Sequence, residues 1–171
     1  MRVMEKLVLI FILFCSSSYG YESEDKLKAA IVGKVAKYVT WSEKRGDSFK
    51  ITVLNKKTDT LFSKVFSNKK IKNREVEIEY VKDISEISGS DILYIDKEYG
   101  NNLAQILEVV GEKKIFLVSD IKGFADKGGM MQIYFISQKP KLRINLENTQ
   151  NKEFKIKSSL LRIADIVKEE E

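Results

Sequence analysis

Apolar positions recur along the chain with two different periods, and these periods predict where helices and strands lie. Over residues 24–38, Leu27, Ile31, Val35 and Tyr38 are spaced by three or four positions, so one face of a predicted helix is apolar. The same spacing predicts three further helices: 59–66, 102–110 and 158–167. Each of these helices has one side available to pack on a sheet.

Short apolar runs between the predicted helices predict strands. Phe49–Leu54 and Glu75–Val81 alternate apolar and polar residues, whereas Asp91–Ile95 and Lys114–Val118 contain continuous apolar runs. Continuous runs are typical of strands that are buried on both faces of a parallel sheet. Because strands and helices alternate along the chain, the pattern predicts βαβ units.

Two later runs predict an antiparallel hairpin at the end of this sheet. Met130–Ile136 and Lys141–Leu146 are joined by the polar segment Ser137–Pro140. No internal repeat and no long linker divides the chain. The predicted fold is one α/β domain over residues 21–171, with a mixed, mostly parallel sheet, flanking helices and a C-terminal antiparallel hairpin plus helix.

The first twenty residues have the pattern of a signal peptide. Arg2 and Lys6 precede the apolar run Leu7–Phe14, and small and polar residues follow it up to Gly20. Spanning a bilayer takes about 20 apolar residues, so this run is too short for a permanent anchor. We therefore expect residues 1–20 to be removed after Gly20 and the mature protein to be exported from the cytoplasm.

Composition excludes most catalytic and metal chemistry from the mature chain. The chain has no His, and its one cysteine, Cys15, lies within the predicted signal. Cys15 is also a candidate for lipid attachment, but Phe14 stands where lipoprotein signals place a small residue. Without His or Cys, the mature chain lacks the commonest general base, the thiol nucleophile and most zinc ligands. We expect no catalytic residue, no cofactor and no metal.

Charge does not favour a nucleic-acid partner. The formal net charge is +5, and basic and acidic residues alternate along the chain, as in Lys82-Asp83 and Asp96-Lys97-Glu98. The sequence has no basic stripe and no aromatic platform of the kind that nucleic-acid-binding proteins use.

A glycine-rich segment, residues 123–129, invites comparison with a phosphate-binding loop. Gly123 and Gly128 have the outer spacing of such a loop, but Gly129 and Met130 stand where the motif needs Lys and Ser or Thr. The segment therefore favours a tight turn in which glycine permits positive φ.

Polar residues follow three of the predicted strands at the point where each strand ends. Asn55 follows the first strand, Asp96 the third, and Ser119-Asp120 the fourth. In open α/β sheets, ligands bind beyond the carboxyl ends of the parallel strands. We expect these residues to meet on one rim, beside Lys122 and Phe124, and to form a shallow recognition surface.

Three segments together resemble the YfiR-type family of exported bacterial regulators, in an order and spacing that cover nearly all of the mature chain. The middle and last segments are the specific ones. The segments are Lys28–Ala30 through Ala36–Trp41, Ser119-Asp120 through Gly123–Ala125 to Gly128–Met130, and Arg143–Leu146 through Lys157–Ala164.

This resemblance implies an α/β domain in the periplasm that acts by binding and catalyses nothing. Family members of this kind bind the external sensing part of a membrane-bound diguanylate cyclase and hold it inactive. Release of that hold raises cyclic di-GMP and favours biofilm growth. The candidate partner-binding or ligand-binding residues are Asp120, Phe124, Gly128, Gly129 and Asn145.

Two other functions remain as alternatives at this stage. A periplasmic small-molecule sensor would use the same rim for a metabolite. An unrecognised hydrolase would use Asp96 and Asp120, and would need a deep pocket around them. Trp41 is interpreted as a core residue beside the sheet, and the sequence leaves open whether the domain forms a homodimer.

Overall fold

The computed structural model describes residues 24–41, 46–57 and 60–167. The predicted signal peptide and Cys15 lie outside these residues. Among the described residues, no helix is both long enough and apolar enough to cross a membrane. The first helix, α1, is described over residues 24–36.

The other elements follow α1 along the chain, and two short 3-10 helices, Ile84–Glu86 and Lys97–Asn102, lie in the connections. In chain order the elements are β1 (Val39–Thr40), β2 (Ser48–Leu54), α2 (Leu61–Phe66), β3 (Lys70–Ile71), β4 (Arg74–Val81), β5 (Ile92–Ile95), α3 (Leu103–Val110), β6 (Phe116–Ser119), β7 (Met131–Ile136), β8 (Lys139–Ile144), α4 (Leu146–Asn151), β9 (Lys155–Ile156), α5 (Ser158–Leu161) and β10 (Asp165–Ile166).

Five parallel strands form the centre of the main sheet, in the order β4-β2-β5-β6-β7. The hairpin partners β3 and β8 run antiparallel beside β4 and β7, and β10 pairs in parallel with β8 at the edge. The predicted fold class is confirmed. The strand order reverses between β2 and β5, which is the position where open α/β sheets place their binding crevice.

The central strands are buried because the sequence gives them apolar side chains on both faces. Every residue of β5 and β6 is buried, and so are Ile51–Leu54 of β2. Burial of each large apolar side chain stabilises the fold by roughly 1.5–3 kcal/mol. This core fixes where the strands end, and therefore where the polar residues that follow them lie.

Trp41 is half-buried and packs against the core beside the sheet, as predicted. Its ring packs edge-on against Phe49, Phe116 and Phe154, with centroid distances of 5.3, 6.3 and 5.9 Å. Its indole N–H donates to the carbonyl of Asp91 at 3.3 Å. Phe154 precedes β9, which pairs with β1, so this aromatic cluster attaches the small second sheet to the main one.

The C-terminal segment differs from the prediction in the length of its helix. Helix α5 ends at Leu161, and Ile163, predicted to be buried, has 71% of its surface exposed. The chain then extends as β10, and the Val167 amide donates to the Ile144 carbonyl at 2.8 Å. Backbone hydrogen bonds to the open edge of β8 replace the further helical turns that the apolar spacing predicted.

Candidate functional site

The polar residues predicted at the strand ends do meet on one rim. Ile95 of β5 is paired with Ser119 of β6, so the next residues, Asp96 and Asp120, emerge side by side. Leu54 is paired with Ile95, which brings Asn55 to the same edge. The rim therefore lies at the strand-order reversal between β2 and β5.

Several rim side chains form hydrogen bonds with backbone groups at or just beyond the ends of the strands. The Asn55 side-chain oxygen accepts a hydrogen bond from the Lys57 amide at 2.6 Å, and the Asp96 carboxylate accepts one from the Glu98 amide at 2.9 Å. The Ser119 hydroxyl donates to the Ile95 carbonyl at 2.6 Å. These bonds turn the chain sharply, which explains polar residues at these positions without any bound molecule.

An ammonium group that the sequence analysis missed lies at the centre of the rim. Lys28 of α1 contacts Asp120 at 2.8 Å and Asp25 at 2.9 Å, and only 7% of the Lys28 side chain and 6% of the Asp120 side chain are exposed. Burial alone would lower the pKa of Lys28, but hydrogen bonds to the two carboxylates raise it overall. Lys28 lies four positions before Val32 and seven before Val35, both of which are buried. This helical spacing was the sequence signal that Lys28 would also lie on the buried face of α1.

Negative charge and buried polar atoms crowd around this ammonium group. Burial raises the pKa of the Asp96 carboxyl, and the nearby Asp120 charge adds to the effect. Burial and the proximity of Asp120 also raise the pKa of the Tyr94 phenol. Oδ1 of Asp120 has no hydrogen-bond partner among the described residues. The rim therefore holds one buried ammonium group among three carboxylates, two of which contact it directly.

The cavity at this cluster is too small for a metabolite. Its volume is about 20 Å³, and it lies between Lys28, Asn55, Phe62, Tyr94 and Asp96. A single water needs roughly 10–15 Å³, so the space suits one water at most. The described residues contain no group of three or more potential metal ligands of the His, Cys, Asp or Glu type. This geometry gives the alternative of an Asp96 and Asp120 hydrolase no substrate pocket.

The glycine-rich segment after β6 forms a tight turn, as its sequence favoured. Gly123 and Gly128 have φ values of +74° and +104°. The Gly129 amide donates to the Phe124 carbonyl at 2.9 Å. A Cβ atom on Gly129 would lie 2.2 Å from the Phe124 ring, so only glycine fits at this position.

Asn145 connects this turn to the following helix. Its side-chain oxygen accepts from the Asn148 amide at 2.9 Å and caps α4, while its side-chain N–H₂ donates to the Ala125 carbonyl at 3.0 Å. Phe124 is fully buried and packs under Gly129. We call Phe124, Gly128, Gly129 and Asn145 the turn unit, because these predicted contact residues shape the turn and are buried or half-buried.

A surface groove that the sequence analysis did not predict lies on another side of the molecule. It has a volume of about 340 Å³ and is formed between α1, β8, α5 and the segment that follows α5. Ile163, one of its lining residues, has 71% of its surface exposed. The lining side chains are mostly apolar: Ile31, Lys34, Val35, Tyr38, Pro140, Lys141, Leu142, Ser159, Leu160 and Ile163. We call this the apolar groove.

Comparison with known proteins gives a family match and two similar folds. A family model described as YfiR/HmsC-like matches residues 25–165, which include both the rim and the turn unit. No curated protein matches the chain.

Two solved structures share the fold at low sequence identity. An ABC domain in complex with L-Trp, from Streptococcus pneumonia, has a TM-score of 0.60 at 13% identity, covering 79% of this chain and 60% of its own. A conserved domain protein from Vibrio cholerae has a TM-score of 0.61 at 9% identity, covering 84% of this chain and 60% of its own. The present chain thus spans about three fifths of each structure.

Proposed function

This chain belongs to the YfiR/HmsC-like family, whose members are periplasmic regulators, and we propose on that premise that it inhibits an inner-membrane diguanylate cyclase by binding its periplasmic part. The family match over residues 25–165 is the observation that carries the proposal. Lower cyclic di-GMP and reduced biofilm growth would be the cellular consequences.

The geometry of the rim supports binding rather than catalysis. The Lys28 ammonium is paired with Asp25 and Asp120 within the protein, and the cavity of about 20 Å³ leaves no room for a substrate. An inhibitory subunit needs a stable surface that recognises one state of its partner. If it binds the inactive cyclase about 100-fold more tightly than the active one, it shifts that equilibrium by the same factor.

The apolar groove is the surface that we propose for the cyclase. Exposed apolar side chains in a concave site are typical of protein interfaces, and Lys34 and Lys141 flank the groove without a carboxylate among its lining residues. The complementary partner segment is apolar with acidic residues at its sides. In this proposal Asp120 and the turn unit stabilise the fold and do not contact the cyclase.

A binding measurement with matched variants tests the groove. Ile163→Asp places a charge in the groove at a residue that is 71% exposed, so the fold should tolerate it. Val109→Asp makes the same change on α3, at a residue that is 40% exposed and outside the groove. With the purified periplasmic domain of the cyclase, Ile163→Asp should weaken binding about 10-fold or more, since burying one large apolar side chain is worth roughly 1.5–3 kcal/mol.

Other outcomes would assign the interface elsewhere. Equal affinities for both variants and the parent protein would remove the groove from the proposal. An Asp120→Ala protein that folds but binds the cyclase poorly, with Ile163→Asp unaffected, would return the contact role to Asp120 and the turn unit.

A second candidate function is small-molecule sensing, and one observation favours it. The groove volume of about 340 Å³ lies within the usual range of ligand pockets, roughly 300–1,000 Å³. The similar fold from Streptococcus pneumonia is described in complex with L-Trp. Thermal stabilisation of this protein by L-Trp, abolished by Ile163→Asp, would support a sensor.

A further inference from the structure

Lysines that are far apart in the sequence come together near the amino ends of the parallel strands. A cleft with a volume of about 380 Å³ is lined by Lys34 of α1, Lys37 just after α1, Lys69 just before β3 and Lys70 of β3. Its remaining lining residues are small or apolar and contribute no carboxylate: Ala30, Gly33, Val65, Phe66 and Ile71. The cleft is therefore cationic at its edges and apolar at its base.

Two further lysines extend this cationic surface. The Lys72 ammonium lies 5.2 Å from the centroid of the Trp41 ring. Burial lowers the pKa of Lys72, and the proximity of Lys157 lowers it further. The Lys157 amide donates to the Tyr38 carbonyl at 2.9 Å, which places Lys157 beside the end of α1. We call these residues the lysine face: Lys34, Lys37, Lys69, Lys70, Lys72 and Lys157.

Within the described residues, few charges of the lysine face are paired with a carboxylate. Lys70 contacts Glu75 at 2.9 Å, and this is the one ion pair between the lysine face and a described carboxylate. All six lysines are exposed, so their charges act on whatever approaches from solution. Like charges held close together repel one another, and an anionic surface would relieve that repulsion.

We propose that the lysine face seats the protein on a bilayer surface that contains anionic phospholipid headgroups. Lysine is a compact point charge on a flexible stem and suits a diffuse layer of phosphates, whereas fixed bidentate recognition uses arginine. No arginine lines the cleft. The exposed large apolar residues that would anchor a protein partner do not line it either: Leu27, Val109, Ile136 and Ile163. Binding is electrostatic and reversible.

Vesicle sedimentation with matched variants tests this proposal with the protein alone, so its result is independent of the cyclase. Lys37→Gln/Lys69→Gln/Lys157→Gln removes three charges from the lysine face. The control, Lys82→Gln/Lys122→Gln/Lys127→Gln, removes three exposed charges near the carboxyl ends of the strands. The probe is vesicles of equal parts phosphatidylglycerol and phosphatidylcholine, compared with phosphatidylcholine alone.

The parent protein should bind the anionic vesicles and not the neutral ones. The lysine-face variant should bind on the order of 100-fold more weakly, because each lysine near a charged bilayer contributes roughly a fivefold factor. The affinity of the control variant for the anionic vesicles should fall by less than about fivefold. Salt at about 0.5 M should release the parent protein from the vesicles. Circular dichroism melts of all three proteins establish that they are folded.

Several results would overturn the proposal. Equal losses of vesicle affinity in the two variants would show that binding depends on net charge alone and not on the lysine face. Displacement from the vesicles by inorganic phosphate at a matching phosphate concentration would assign the face to free phosphate. Tighter binding to poly-glutamate than to vesicles would assign it to an acidic protein, and absence of binding to anionic vesicles at low salt would end the proposal.

Discussion

At the carboxyl ends of the parallel strands, the Lys28 ammonium is buried and paired with two carboxylates, whereas the six lysines of the lysine face, near the amino ends, are exposed and lie close together. Lys28 contacts two carboxylates within 3 Å, at 2.8 and 2.9 Å, and is almost fully buried. Lys72 instead lies near a second lysine, Lys157, at the surface. The first arrangement stabilises the fold, and the second leaves charge available for an external partner.

This difference follows from desolvation. Removing an ion from water costs several kcal/mol, so a buried charge persists only with partners inside the protein. An exposed lysine keeps its water and needs no internal partner. Substitutions at the carboxyl rim should therefore change stability, whereas substitutions in the lysine face should change binding and leave stability nearly unaltered.

The largest expected effect is that of Lys28→Met. Loss of the ammonium leaves Asp120 and Asp25 without their cation, and breaking a buried pair costs about 3–5 kcal/mol of unfolding free energy. Because the folded-state pKa of Lys28 is raised, its contribution is complete below pH 10.5 and is lost as the pH rises above that value. Urea unfolding at pH 7 measures the difference.

A second substitution shows whether charge is the cause. Asp120→Asn in the Lys28→Met background removes the uncompensated carboxylate and should recover part of the loss. An unchanged stability in the single variant, or no recovery in the double variant, would contradict the ion-pair interpretation of the rim.

Gly129→Ala should have the next largest effect. The added Cβ would lie 2.2 Å from the buried Phe124 ring, and overpacking of this kind costs about 1–3 kcal/mol. Gly89→Ala is the control, because no atom lies within 4 Å of a Cβ at that position. Thermal melts should show a lower Tm for Gly129→Ala alone, and Phe124→Leu should partly rescue it. Equal melting of the two alanine variants would contradict the packing.

Asn145→Ala should destabilise the protein by about 0.5–2 kcal/mol, because it removes the cap of α4 and the bond to the Ala125 carbonyl. Asn145→Asp keeps the capping oxygen but loses the N–H donor, so its stability should fall between the two. A chemical denaturation series measures all three proteins. If Asn145→Asp were as stable as the parent protein, the hydrogen bond to the Ala125 carbonyl would contribute nothing to stability.

The smallest expected effect on stability is that of Lys72→Gln in the lysine face. Removing one of two neighbouring like charges should change the unfolding free energy by less than about 0.5 kcal/mol. At low salt, where the repulsion is least screened, the variant should be slightly more stable than the parent protein. The same denaturation measurement, with and without added salt, detects it. A loss above about 1 kcal/mol would mean that Lys72 supports the fold through Trp41.

Much of the fold could be predicted from the sequence because its strongest signals are local. Continuous apolar runs located the central strands β5 and β6, and the polar residues after them located the rim. The hairpin turns were less visible: Ser137 and Gln138 have φ values of 48° and 63°, a conformation usually marked by Asn or Gly.

The parts that could not be predicted depend on distant contacts. The pairing of Lys28 with Asp120 joins α1 to the end of β6, and β10 forms because its backbone reaches the edge of β8. The lysines of the lysine face are spread over residues 34–157, although Lys69, Lys70 and Lys72 are close together in the sequence. The fold brings Lys34, Lys37 and Lys157 to these three, and that distant contact is the part that the sequence does not reveal.

The measurement that tests the central claim most directly is intracellular cyclic di-GMP in cells that lack this gene, compared with the parent strain and a strain with the gene restored. An inhibitor of a diguanylate cyclase predicts a rise on deletion that the restored gene reverses and that an Ile163→Asp gene does not. An unchanged level, in conditions where the protein is made, would contradict inhibition of a cyclase.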